Sequence, residues 1–221
     1  MTRYEILPAI LAHSQEEARQ KVRTAGDCSP WLQWDVMDGH FVNNTSWYDA
    51  NAVQTWTIKS RIELHLMVRD PERVIDAWRN VPKFKRAVWH IEAPIDHEAL
   101  IMHCKEMGKD VGLAISPKTS ILQLTPYLDY IESVLVMGVE PGFSGQPLLP
   151  ETAERVRTIN QLKREIVTNV DGGVTAKTIL GLAKMGAKRF CMGSAVFDHA
   201  FPADFVKGQL ERLEHQRAAK K

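Results

Sequence analysis

Eight apolar stretches separated by helical segments predict a (β/α)8 barrel, an α/β fold of a single domain spanning residues 1–221. Three observations carry that expectation. The apolar stretches run continuously instead of alternating with polar residues, so both faces of each strand are covered and the sheet is parallel. Helical patterns stand between successive strands, as parallel pairing requires, because each strand must be entered from the same end. No Gly/Ser/Pro-rich linker interrupts the series. A doubly wound open sheet shares the alternation and is the runner-up.

The first strand covers 5–11 (EILPAIL). Ser14 and Glu17 then form a Ser-x-x-Glu capping box that opens a helix to about residue 25. Strands follow at 32–37 and 62–68. The Asp70-Pro71-Glu72 run starts a helix through Trp78, with proline in the first turn where its missing N–H does no harm. A strand at 86–91 and a helix at about 97–107 come next. The strand at 111–115 is cut off by Pro117, and a short helix lies near 121–127. Strand 133–139 precedes a helix at 151–164; strand 166–170, helix 176–185 and strand 189–192 complete the series.

Composition narrows the partners. Apolar residues at 44% and charged residues at 25% suit a soluble protein with a substantial core. A net charge of +1 argues against a broad nucleic-acid surface, and the basic end Arg217-Ala-Ala-Lys-Lys221 reads as a solvated helix terminus. No run approaches the roughly 18–20 apolar residues of a membrane span, and MTRYE is not a signal peptide. Cys28, Cys104 and Cys191 form no CxxC pair and suggest a reducing interior, so the expected location is cytoplasmic.

A barrel places its chemistry where strands end and loops begin. The polar residues at those ends are Gln33, Asp35 and Asp38 on the second strand, His65 on the third, and His90 and Glu92 on the fourth. Ser116, Glu140 and Asp171 follow on the fifth, sixth and seventh. In WLQWDVMDGHF (31–41), Gln33, Asp35 and Met37 share one strand face and Trp34 takes the other, where it should pack against helices. His90 with Glu92 reads as a structural pair beneath the site, and Asp38 as a turn-forming carboxylate. Three glycine-containing loops after the last strands suit a phosphate: Pro141-Gly142-Phe143-Ser144-Gly145-Gln146, Asp171-Gly172-Gly173, and Met192-Gly193-Ser194-Ala195.

These segments together resemble the ribulose-phosphate 3-epimerase family along nearly the full chain. The matching runs are LPAIL (7–11), DVMDGHFV (35–42) with Asn44, HLMV (65–68), HIEA (90–93), GLAISP (112–117), VLVM (134–137) leading into PGFSGQ (141–146), VDGGV (170–174) and GSAVF (193–197). The resemblance implies a ribulose-phosphate-binding barrel that inverts carbon 3 of a ketose phosphate, D-ribulose 5-phosphate to D-xylulose 5-phosphate, through an enediolate. Asp35 and Asp171 match the two proton-transfer acids. Met37, Met67 and Met137 resemble a ring of methionines lining the site. The implied cofactor is a divalent metal (zinc, iron(II) or manganese) held by two histidines and the same two aspartates; the implied partner is a small sugar phosphate, and a homo-oligomer is compatible.

The sequence departs from this pattern at the metal. His65 matches one ligand histidine, but the other falls at Gln33, whose neutral amide oxygen is a weaker ligand for zinc or iron. The family's serine in the first strand is Ala9, and two asparagine positions are Ser116 and Glu140. Asp35, His65 and Asp171 remain as a three-residue set, a number that catalytic zinc sites often use. His13 either reaches inward to compensate or caps the following helix and faces solvent. Two functions follow: an active ketose-phosphate epimerase, or a phosphate-sugar-binding relative with an altered substrate or little epimerase activity.

Overall fold

Each strand pairs in parallel with the next in sequence, and the last returns to the first, closing the sheet in a computed structural model that describes residues 4–219. The strands are β1 (Glu5–Ile10), β2 (Trp31–Met37), β3 (Arg61–Met67), β4 (Phe84–His90), β5 (Asp110–Ile115), β6 (Ser133–Met137), β7 (Val167–Asp171) and β8 (Arg189–Met192). The barrel expectation holds, and the open-sheet alternative does not. Residues 1–3 and 220–221, including the two terminal lysines of the basic end, lie outside the described residues.

Helices α1 (Gln15–Cys28), α2 (Ala50–Val53), α3 (Pro71–Trp78), α4 (His97–Glu106), α5 (Thr152–Leu162), α6 (Ile179–Lys184), α7 (Ser194–Phe197) and α8 (Pro202–Ala218) pack outside the sheet. A 3-10 segment, Ile121–Tyr127, connects β5 to β6. The caps follow local chemistry. Ser14 Oγ accepts from Glu17 N at 3.2 Å, while the Glu17 carboxylate reaches back to the backbone N–H of His13 at 2.8 Å, one residue beyond the usual partner. Asp70 caps α3 with Pro71 in its first turn. Helices α2 and α7 and the body of α8 go beyond the sequence reading, which held only the helical basic end of α8: the first two are four-residue turns, and α8 buries only Val206, Gln209 and Leu213. Helix α6 starts at Ile179, not 176, because Thr175 and Thr178 hydrogen-bond each other in a turn ahead of it.

The core has two layers. Trp34, fully buried, packs between sheet and helices with its ring centroid 5.1 Å from that of Trp78 in α3. Inside the barrel, Leu7, Trp31, Val88, Leu135 and Cys191 form a smaller cluster. Near the strands' starts, the buried Arg86 guanidinium lies 4.2 Å from the Trp31 ring centroid and pairs with Glu63. Apolar filling and this ion pair block the lower end, so the cavity opens only where the strands finish.

Register aligns the mouth. Asp35 pairs with His65, Met37 with Met67, Gln33 with Ala9, Met137 with Asp171, and Asp171 with Cys191. Residues far apart in sequence thereby stand at neighbouring positions on adjacent strands.

Candidate active site

Strand β2 is buried along its whole length, so a polar side chain on its inner face must find partners inside the barrel. Gln33 finds two. Its Nε2 donates to Asp35 Oδ1 at 2.8 Å and to Asp171 Oδ2 at 2.7 Å. The amide thus bridges the two carboxylates from β2 and β7. Ionised carboxylates only accept hydrogen bonds, so the nitrogen must be the atom that faces them. Gln33 Oε1 points elsewhere; it is buried and has no hydrogen-bond partner. Leaving such an acceptor unmet costs about 1–3 kcal/mol.

His65 completes the group. Its Nδ1 lies 3.1 Å from both Asp35 Oδ1 and Asp171 Oδ2. Burial disfavours the imidazolium, but hydrogen bonds and charge from Asp171 and Asp35 outweigh it and raise the His65 pKa to about 9. Burial first, and the Asp171 charge second, push the Asp35 carboxyl above its ordinary range. Behind His65, its Nε2 stands 3.0 Å from His90 Nε2, and His90 Nδ1 stands 3.1 Å from Glu92 Oε2. Burial holds the His90 pKa down, so a charged His65 donates to a neutral His90, which donates to Glu92. For Glu92 burial acts upward, yet the hydrogen bond from His90, joined in acid by the charge His90 gains on protonation, prevails and lowers it to about 2. His90 and Glu92 thus form the expected pair, which also buttresses His65. Ser116 joins it, with Oγ 3.3 Å from His90 Nδ1 and its N–H donating to Glu92 Oε1 at 2.8 Å.

Above the acids opens a cavity of about 140 Å³. Asp35, His65, Asp171, Met37, Met67, Met137, Ala9, Gly142, Phe143, Ser144, Gly145, Gly172, Gly173, Gly193 and Ser194 all line it. Gln33 does not; it lies fully buried among the acids. Gly172 and Gly173 have φ +88° and +67°, and a Cβ on Gly173 would fall 2.4 Å from Leu148 N, so only glycine suits that turn. Asn44 Nδ2 donates to Gly142 O at 2.7 Å, fastening the loop after β2 to the loop after β6.

Other expected residues lie elsewhere. His13 is exposed and does not reach the acids: β1 ends at Ile10, so strand parity no longer governs residue 13. Glu140 points to the surface and pairs with Lys118 at 2.7 Å. Asp38 accepts from His40 N, Phe41 N and Arg69 N, as a turn carboxylate does. Gln146, the last residue of the glycine-containing loop after β6, lines the cavity as well, and so do Leu11, Val139, Thr175 and Cys191, to which the sequence reading gave no role. Cys191 was legible, since it lies two residues before Gly193 at the end of the last strand.

The donor chemistry fits a divalent cation. Asp35, His65 and Asp171 each offer a ligand atom, all within 4.8 Å of one another. The unmet Gln33 Oε1 is a further oxygen on a neighbouring side chain.

Comparisons with known proteins agree with this architecture. The model of the ribulose-phosphate 3 epimerase family matches residues 5–197. The ribulose-phosphate 3-epimerase of Schizosaccharomyces pombe is 33% identical over 213 residues, covering 94% of this chain and 93% of its own length. The Escherichia coli K12 enzyme of the same name is 30% identical over 234 residues, covering 98% of this chain and 100% of its own. Among solved structures, KGPDC from Streptococcus mutans superposes with a TM-score of 0.74 at 11% identity, covering 96% of this chain and 99% of its own. The 3-hexulose-6-phosphate synthase of Salmonella typhimurium gives 0.70 at 14%, with the same coverage; at such identities the likeness is one of fold. Sequence similarity that runs from β1 through α7, over relatives matched almost end to end, makes the chain a member of the ribulose-phosphate 3-epimerase family.

Proposed function

We propose that the protein inverts C3 of a ketose phosphate, in the simplest case D-ribulose 5-phosphate to D-xylulose 5-phosphate. The observation that carries this reading is the pairing of Asp35 and Asp171, brought from β2 and β7 to the floor of one cavity. One carboxylate takes the C3 proton and leaves an enediolate; the other, entering protonated, returns a proton to the opposite face. The hydrogen bonds to Gln33 and His65 use Oδ1 of Asp35 and Oδ2 of Asp171, which leaves the second oxygen of each for substrate. Positioned acids and bases of this kind contribute roughly 10²–10⁴-fold each.

The remaining roles follow from the lining. Met37, Met67 and Met137 wall the reacting carbon with apolar surface and exclude water. Gly172, Gly173, Gly193 and Ser194 offer backbone N–H groups to the phosphate. Asp35, His65 and Asp171 would hold a divalent cation, with Gln33 a weak fourth, and such an ion would lower the energy of the negatively charged enediolate. For the cell we infer the cytoplasm, supported by the free cysteines and by the rice relative named as the cytoplasmic isoform of ribulose-phosphate 3-epimerase. No helix among the described residues is long and apolar enough to cross a membrane.

Incubating the protein with D-ribulose 5-phosphate and following D-xylulose 5-phosphate by NMR tests the reading. Conversion that Asp35→Asn abolishes is expected; substrate bound but left unconverted would overturn it. That second outcome describes the other reading, a sugar-phosphate-binding relative, which one observation favours: the Gln33 amide ties both acids together.

A further inference from the structure

We propose that Gln33 is a reversible amide switch on the cation site, and that it turns the site's preference from zinc toward manganese(II). With no cation bound, the amide nitrogen holds the carboxylates; when a cation enters, the amide rotates and its oxygen becomes a ligand. The proposal rests on reading Asp35, His65 and Asp171 as cation ligands.

Three features of the geometry lead to it. Gln33 Nε2 lies 2.8 Å from Asp35 Oδ1, 2.7 Å from Asp171 Oδ2 and 3.4 Å from His65 Nδ1, among the three atoms able to ligate a metal. An amide N–H serves there as a stand-in for positive charge, bridging two anions that would otherwise repel. The other end of the same amide is the second feature: Oε1 is fully buried without a donor. Half a turn about the last side-chain bond exchanges the two atoms with almost no change in shape. Beside two bare carboxylates the turned oxygen would be repelled, whereas beside a cation it becomes a donor atom. The cation is therefore the condition for the turn.

The third feature is the resulting donor set. Two carboxylates, one amide oxygen and one imidazole make three oxygens and a single nitrogen. Carboxylate and carbonyl oxygens suit manganese and magnesium, while imidazole suits zinc and iron. Affinity for every cation is also reduced, because the turn gives up two hydrogen bonds and leaves the NH2 group where Oε1 was. Compared with an imidazole in the same place, the amide oxygen costs zinc more than manganese, because zinc favours the nitrogen and manganese accepts the oxygen.

The experiment measures zinc and manganese affinities of the full chain by competition with a chelator of known strength, for wild type and Gln33→His. The expected result is that Gln33→His raises zinc affinity relative to manganese by on the order of tenfold or more, the scale on which a metal's surroundings tune its binding. In parallel, the Gln33 side-chain amide 1H–15N signals of the wild type, assigned through its backbone, should shift as zinc is added to saturation. An unchanged zinc-to-manganese ratio, or an amide signal that stays still at saturation, would overturn the switch while leaving the cation site standing. No binding of either ion to either protein would overturn both the switch and the site beneath it. Should the variant fold poorly, the wild-type amide signals decide alone.

Discussion

Gln33 on β2 and Asp171 on β7 meet across the barrel, amide nitrogen to carboxylate oxygen at 2.7 Å, and the same nitrogen holds Asp35 at 2.8 Å. One neutral side chain therefore fixes the spacing of the two acids on which the proposed chemistry depends. Its removal has a calculable sign. Gln33→Leu deletes two hydrogen bonds to charged groups, roughly 1.5–3 kcal/mol each, and also deletes the unmet Oε1, which costs roughly 1–3 kcal/mol. A net loss of about 2 kcal/mol is expected in chelator-treated protein, read from urea denaturation midpoints. An unaltered midpoint would mean that the bridge contributes nothing.

Asp171→Asn keeps the shape of the site and removes a proton carrier. Interconversion at C3 should fall by roughly 10²–10⁴-fold or more, while sugar-phosphate binding stays within a few-fold of wild type. Steady-state rates paired with calorimetric binding separate the two effects. Full activity in the variant would take Asp171 out of proton transfer.

The glycines of the loops after β6 and β7 should differ in what they tolerate. Gly173 and Gly145 both have positive φ, but a Cβ on Gly173 meets Leu148 backbone at 2.4 Å and one on Gly145 meets nothing within 4 Å. Gly173→Ala should cost more stability than the roughly 1–3 kcal/mol of backbone strain alone, and should weaken binding of inorganic phosphate. Gly145→Ala should cost only the strain. Equal melting temperatures for the two variants would contradict the packing around Leu148.

Glu92 gives a pH signature. Its folded pKa of about 2 lies below the ordinary 4.5, so the unfolded chain takes up this proton first as pH falls. The stabilisation is complete above 4.5, declines below it, and is gone once pH drops through about 2. Urea midpoints across that window should fall with pH, and Glu92→Gln should flatten the fall. A variant curve parallel to wild type would show that Glu92 is not the group responsible.

Much of this architecture was legible in the residues, for reasons that differ by element. Continuous apolar runs report burial on both faces, and parallel strands are the sheet elements that need it, so all eight strands were found and their ends moved by few residues. Alternation along β2 correctly put Gln33, Asp35 and Met37 on one face, because β2 is regular throughout. The same argument failed for His13, where the strand had already ended. Glu140 failed likewise: β6 stops at Met137, and a residue three positions into the loop was free to seek Lys118. The body of helix α8, ahead of its basic end, escaped notice because few of its residues are buried, so periodicity had little to act on.

The bridge made by Gln33 could not be read from β2 alone. Its two partners sit on different strands, and only barrel closure brings β7 within reach of β2. A glutamine where the family resemblance implied a metal-binding histidine marked the place as unusual; the direction of its amide came from the carboxylates around it. The unmet Oε1, from which the switch is argued, is likewise a property of the packed interior.

The most direct test of two-aspartate proton transfer is the wash-in of deuterium at C3 of ribulose 5-phosphate in D2O, with and without added zinc, iron(II) or manganese. Deuterium is expected at C3 in both the recovered ribulose 5-phosphate and the xylulose 5-phosphate formed, with incorporation lost in the Asp35→Asn, Asp171→Asn double variant. Sugar phosphate that binds yet gains no deuterium under any of these metals would contradict it.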